Sequence, residues 1–204
     1  MQVHLKNVGK RFNKQWIFRK LNLDIASQSS LIVLGANGSG KSTLIKLIGA
    51  YLEPTEGHIE YLNNQRKLIN QSSLQKIALV APYVNVVEEF SLKEHLTFHF
   101  KFKKATITIE EMARRSGLEF AWNKQVKDFS SGMKQRLKLC FAFFTDDELI
   151  LLDEPTNNMD IKGIDWYQEE ILNIIGKRTL IIASNQKNEH EIIMNPTYLD
   201  LDII

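Results

Sequence analysis

The run Gly35-Ala36-Asn37-Gly38-Ser39-Gly40-Lys41-Ser42-Thr43 fits G-x-x-x-x-G-K-[ST] at every fixed position. Glycines at this density let the backbone turn so that successive N–H groups point inward at an anion. Lys41 adds a compact positive charge for β- and γ-phosphates, and the Ser42 hydroxyl can ligate Mg²⁺. The apolar run Leu31–Leu34 before the loop reads as a strand, and Ser42–Tyr51 after it carries apolar residues at helical spacing. A helix starting there presents its positive end to the same phosphates. Strand, loop and helix together predict a binding turn for a nucleoside triphosphate, with ATP and Mg²⁺ the expected ligands.

Outward from this loop, Val3–Val8 and Ile17–Ile25 read as strands. So do His58–Leu62, after the turn marked by Pro54 and Gly57, and Ile77–Ala81, before Pro82. Leu149–Leu152 and Thr179–Ala183 are short continuous apolar runs, as expected of strands buried on both faces, with a helix predicted over Ile161–Ile175 between them. Tyr198–Ile203 is predicted as a final edge strand. Between about residue 88 and Phe144 the apolar spacing turns helical, through Leu92, Leu96 and Phe100 and then Ile109, Met112, Ala113 and Leu118. This predicts an inserted lobe of two or three helices. The expected fold class is α/β: a P-loop NTPase core with a largely parallel sheet, an antiparallel β edge near the N-terminus and the helical lobe, in one domain of residues 1–204.

Composition narrows the setting. With 204 residues, 44% hydrophobic and 25% charged, the chain can bury a sizeable core. Its formal net charge of +2 is spread among interspersed acids and bases, so no direct nucleic-acid contact is expected. The single cysteine, Cys140, sits in the apolar run Leu137–Phe141, which predicts a buried structural thiol and fits a reducing compartment. The first residues lack the apolar stretch of a signal peptide, and no apolar run is long enough to span a bilayer. A soluble, cytoplasmic protein is expected, reaching a membrane only through a partner.

Asp153 and Glu154 follow the apolar run Leu149–Leu152 and precede Pro155. The carboxyl end of a buried parallel strand opens into the ligand crevice. Asp153 can then hold Mg²⁺ opposite Ser42, and Glu154 can polarise the attacking water as general base.

Phe129-Ser130-Ser131-Gly132-Met133-Lys134-Gln135-Arg136 precedes that strand and opens an amphipathic helix that Ser130 and Ser131 can cap. It resembles the signature motif of ABC-type ATPases, usually Leu-Ser-Gly-Gly-Gln. The glycine-rich loop and the Asp153–Thr156 run accompany it in the family's order, and the resemblance extends to about Gln186. The resemblance implies the ATP-binding subunit of an ABC transporter, hydrolysing Mg-ATP to drive a separate transmembrane permease. It also implies a head-to-tail homodimer in which Ser130, Ser131, Gly132 and Met133 face the nucleotide held by the other subunit. Asp160 matches the family's D-loop aspartate. Phe12 sits where the family places an aromatic on the adenine, with Trp16 the competing ring and plain packing the other reading. A regulator or assembly factor of the same ATPase type is the alternative.

Four positions depart from the family pattern. Ser131 and Met133 replace a glycine and the glutamine of the signature. Pro82 stands where the Q-loop glutamine is expected, with Glu88 and Glu89 as possible substitutes. Asn185 takes the place of the switch histidine; its amide can donate to a γ-phosphate but carries no proton. The replacements at Pro82 and Asn185 predict low turnover. His190, in a polar stretch, is expected to be exposed. The basic, aromatic run Phe98–Lys104 either lines a groove for the membrane subunit's coupling helix or fills the lobe's own core.

Overall fold

The computed structural model describes residues 1–63, 66–68 and 75–203, and among these the strands form two sheets. β1 (Gln2–Phe12), β2 (Gln15–Ile25), β4 (Glu56–Asn63) and β5 (Arg66–Leu68) pair antiparallel in the order β2-β1-β4-β5. β3 (Ser30–Leu34), β6 (Ile77–Val80), β7 (Leu149–Asp153), β8 (Thr179–Ala183) and β9 (Thr197–Asp200) pair parallel in the order β6-β7-β8-β3-β9. The antiparallel strands expected at an edge thus make a sheet of their own. Strand periodicity sets which side chains alternate, not which sheet a strand joins.

The inner parallel strands β7 and β8 are nearly all apolar because both their faces are covered, whereas the outermost strand, β9, is partly exposed. On β7, Leu149 and Leu151 enter the core shared with the antiparallel sheet and α1 (Lys41–Ile48), while Ile150 and Leu152 enter the core on the opposite face. β8 divides likewise, with Ile181 and Ala183 on the first side and Leu180 and Ile182 on the second. The second core is completed by α5 (Ile161–Ile174) and the helical lobe.

The lobe holds α2 (Leu92–His99), α3 (Ile109–Arg115) and α4 (Ser131–Phe143). Each helix starts at a side-chain cap. Ser91 accepts from the Glu94 N–H while the Glu94 carboxylate accepts from the Ser91 N–H at 2.8 Å, and Thr108 and Ser130 cap the other two. Leu92, Leu96, Met112, Ala113 and Leu118 are buried as their spacing predicts, with Phe100 and Ile109 packed at the margin. Cys140 is 1% exposed, and burial pushes its thiol up to about 12, as befits an inert packing group.

Two elements are shorter than expected. α1 stops at Ile48 because Ala50 turns left-handed (φ +58°), and the Tyr51 and Leu52 amides fold back on the Lys46 carbonyl at 2.8 and 3.2 Å. β9 stops at Asp200, whose carboxylate accepts from the Asp202 N–H at 3.0 Å and turns the chain.

The antiparallel sheet contains one close approach that fixes a residue type. Opposite the register break in β1 between Lys6 and Gly9, Gly57 has φ +76°, and a Cβ there would lie 2.3 Å from the Asn7 carbonyl oxygen. Gly57→Ala is expected to destabilise the protein by about 2 kcal/mol or more, through backbone strain and displacement of the bulge. A lowered urea midpoint relative to wild type checks this; an unchanged midpoint would show that the sheet rearranges freely there.

Candidate functional site

The glycine-rich loop leaves β3 at the carboxyl edge of the parallel sheet and enters α1. Gly40 makes this possible: its φ is +106°, and a Cβ would sit 2.4 Å from Ile17 Cγ2. A depression of about 300 Å³ lies over the loop, lined by Ile17, Asn37, Gly38, Gly40, Lys41, Ser42, Thr43 and Glu154. Lys41 is 7% exposed, and its ammonium donates to the Gly35 carbonyl at 2.5 Å and the Ala36 carbonyl at 3.1 Å. Side chains from two other strand ends also hold the loop. Asn185 Nδ2 donates to Gly35 O at 2.7 Å and its Oδ1 accepts from Gly35 N at 3.2 Å, while the Asp202 carboxylate accepts from Ala36 N at 3.0 and 2.8 Å.

β7 delivers Asp153 and Glu154 to the same edge. Asp153 is 2% exposed, and its Oδ2 has no hydrogen-bond partner among the described residues. Burial pushes its carboxyl up; the Ser42 hydroxyl on it pulls the other way, Glu154 adds to the rise, and Lys41 and Lys46 oppose it. An unsatisfied buried carboxylate oxygen beside a serine hydroxyl is a set of hard oxygen donors, which fits Mg²⁺.

Glu154 has φ +47°, a conformation that persists only where its surroundings over-determine it. Its N–H donates to Ala183 O at 3.0 Å, and Gln135 on α4 donates to Pro155 O at 2.7 Å. The Thr156 N–H and hydroxyl both donate to Glu189 Oε1, at 2.7 and 2.6 Å. Glu189 is fully buried, which raises its pKa, while the Ser184 and Thr156 hydroxyls and the Thr156 amide favour the charged form. Gln135, Glu189 and Asp202 have no assigned role in the sequence reading. Gln135 lies inside the signature run, but nothing in the sequence separates Glu189 or Asp202 from a surface acid.

The signature residues Ser130, Ser131, Gly132 and Met133 line a second depression of about 370 Å³, together with Arg136, Asn158 and Asp160. Ser130 caps α4 and Asp160 caps α5, and Arg136 donates to Asp160 at 2.6 Å, joining the two motifs. Phe12 is 45% exposed with the Lys10 ammonium 5.2 Å from its ring centre, whereas Trp16 is already faced by the guanidinium groups of Arg11 and Arg19 at 5.1 and 4.2 Å.

Pro82 and Tyr83 are the central residues of a turn closed by Val84 N donating to Ala81 O at 3.1 Å, where proline's fixed φ is favoured. Glu88 pairs with Lys134 on α4 at 2.5 Å. His190 corrects the expectation of exposure. It is 7% exposed, edge-on to Tyr198, and its ring nitrogens have no partner among the described residues. The turn Lys187–Glu189 tucks it inward, anchored by Tyr167 donating to Glu189 O at 2.9 Å.

Between lobe and core runs a groove of about 300 Å³, lined in part by Tyr51, Val87, His95, Phe98, His99 and Phe141. The aromatic run divides its duties. Phe100 packs on the core, His99 stacks on Phe141 at 4.3 Å, and Phe98 and Phe102 stay exposed, edge-on to each other at 5.3 Å. Lys103 ties the lobe to the core through Asp147 at 2.9 Å and the Ile77 carbonyl at 3.1 Å.

A parallel sheet with a glycine-rich loop after one strand, a carboxylate pair after another and an inserted helical lobe defines a P-loop nucleotide-binding core. Sequence comparison narrows the class: the model of the ABC transporter family matches residues 18–157, and the chain belongs to that family. It is 29% identical over 195 residues to the Nod factor export ATP-binding protein I of Rhizobium leguminosarum bv. viciae, covering 93% of this chain and 63% of that protein. Identity is also 29% to the lantibiotic transport ATP-binding protein SrtF of Streptococcus pyogenes, covering 92% and 81%. This chain therefore spans less than two thirds of the length of the first of these relatives. Among solved structures, the ATP-binding cassette MJ0796, a dimer bound to ADP and Pi, superimposes with TM-score 0.81 at 24% identity, over 98% of this chain and 94% of that one. A bacterial Atm1-family ABC exporter with ATP bound matches at TM-score 0.81 and 20% identity, over 98% of this chain and 37% of that one. Likeness at these identities concerns the fold. Among the described residues, no helix is long and apolar enough to cross a membrane.

The groove gives the protein a pH signature. Burial, with the Lys103 charge adding to it, pulls His99 down to about 4, so its ring is neutral in the fold. An unfolded chain takes up that proton near pH 6.5, so stability present above that value is lost as pH falls toward 4. His99→Phe is expected to keep the stacking on Phe141, to be at least as stable at pH 7, and to decline less steeply between pH 6.5 and 4. Urea midpoints across that range check this, and parallel curves for the two proteins would refute it.

Proposed function

We propose that this chain binds Mg-ATP on residues 35–43 and hydrolyses it, acting as the ATP-binding subunit of an ABC transporter. The observation that carries the reading is the placement of Asp153 and Glu154, at the end of β7, against the loop that holds Lys41 and Ser42. Asp153 and Ser42 would hold Mg²⁺, which supplies charge neutralisation at the phosphates. Lys41 and the loop N–H groups bind and orient the triphosphate. Glu154, fixed by the bonds around its turn, positions and deprotonates the attacking water.

The signature depression supports a head-to-tail pair of chains, because Ser130–Met133 and the loop lie in separate depressions and neither surrounds a nucleotide alone. Phe12, the less occupied of the two aromatics, is the better surface for the adenine. The groove beside the lobe suits a helix of a separate membrane subunit, placing the protein on the cytoplasmic side of a membrane through that partner. Turnover is slow in this reading, because Pro82 offers no side-chain donor and the Asn185 amide is engaged elsewhere.

Glu154→Gln is expected to bind Mg-ATP as wild type does and to lower the rate of phosphate release at least about a hundredfold. A phosphate-release assay on the purified proteins checks this; equal, background rates in both would overturn hydrolysis while leaving binding to be measured separately.

A further inference from the structure

Asn185 and Asp202 lie just beyond β8 and β9, the two strands that flank β3 in the parallel sheet. Both ladders run on past the strands: Ser184 N donates to Val33 O at 3.1 Å, and Leu201 N donates to Leu34 O at 3.0 Å. Gly35 follows directly on the central strand, and at this point no main-chain partner among the described residues continues either ladder. Side chains take over. The Asn185 amide meets both the C=O and the N–H of Gly35, as a peptide group of a neighbouring strand would, and the Asp202 carboxylate takes the N–H of Ala36. The 3.0 Å bond from Asp202 N to Asp200 holds that carboxylate in place.

From this geometry we infer that Asn185 and Asp202 are positioning residues, forming a latch that extends the sheet onto the first two residues of the nucleotide loop. The inference rests on residues 35–43 being the nucleotide site. It gives Asn185 a different task from a γ-phosphate contact: one N–H and the carbonyl oxygen of its amide are held on Gly35. A latch of this kind orders the loop before any ligand arrives and removes part of the ordering cost from binding. Its benefit is the same for every ligand that uses the loop, whether or not a γ-phosphate is present.

That equality separates the two roles. The full chain is titrated with Mg-ADP and with a Mg-bound non-hydrolysable ATP analogue, and thermal unfolding is recorded alongside. Asn185→Leu, which removes both bonds to Gly35, is expected to weaken both ligands by the same factor, about five- to twentyfold, leaving their ratio at the wild-type value. Asp202→Ser is expected to weaken both ligands equally, and Asp202→Asn, which keeps an acceptor for Ala36, to retain most of the affinity. A loss confined to the triphosphate in Asn185→Leu would overturn the latch in favour of a γ-phosphate contact, and unchanged affinity for both ligands would overturn it outright. Should Asn185→Leu fail to fold, the two Asp202 variants carry the same comparison: equal affinities in Ser and Asn would refute the latch. Lys41→Ala guards the premise. If it binds both ligands as wild type does, the nucleotide site has been misplaced, a failure distinct from that of the latch.

Discussion

The parallel sheet imposes the constraint on which everything else rests. Its central strands are buried on both faces, so successive residues of β7 and β8 serve two different cores, one under the antiparallel sheet and one under the lobe. Such strands have no polar side on which to place a functional group. Chemistry is therefore displaced to their carboxyl ends, where the chain leaves the sheet and backbone groups lose ladder partners. Asp153 ends β7, Glu154, Asn185 and Asp202 closely follow strand ends, and Lys41 and Ser42 open the helix after β3, all on one edge. The site is a consequence of how the core is filled.

That edge has to be held in shape by side chains, and it is. The turn after β7 keeps Glu154 in a left-handed conformation while Gln135, Glu189 and the Ala183 carbonyl fix it from three directions. Gln135 belongs to the helix that carries the signature residues, so the lobe and the acidic turn share a direct hydrogen bond. Arg136, the next residue, reaches Asp160 at the start of α5. Two adjacent side chains thus connect the lobe to both segments that follow β7.

Legibility in the sequence followed the range of the interaction. The loop, the acidic pair and the signature run stand out in the sequence because each gathers its residues into a consecutive run. Strand spans were readable from apolar runs, but membership of a sheet was not, so the antiparallel strands were expected as an edge and form a separate sheet. Asp202 and Glu189 gave no sign of their roles, since a carboxylate that serves a loop about 165 residues away looks like any other acid. His190 looked exposed among polar neighbours and is buried by a turn whose anchor, Tyr167, sits on a distant helix. Asn185 reads as a replacement in the sequence, but its partner on Gly35 depends on strand order, which a sequence does not state.

The position of the Lys41 ammonium has a bearing on selectivity. With both neighbouring carbonyls of its own loop as acceptors, this buried cation is already solvated by the protein. An incoming anion does not meet a bare charge. It competes with two well-placed backbone dipoles for the same protons, and a monoanion with one or two oxygens gains little by the exchange. A polyphosphate, bringing several charged oxygens and filling the loop's N–H groups at once, gains much more. On the proposed nucleotide reading, a loop that keeps its own cation occupied would favour polyphosphates over small anions without any steric gate.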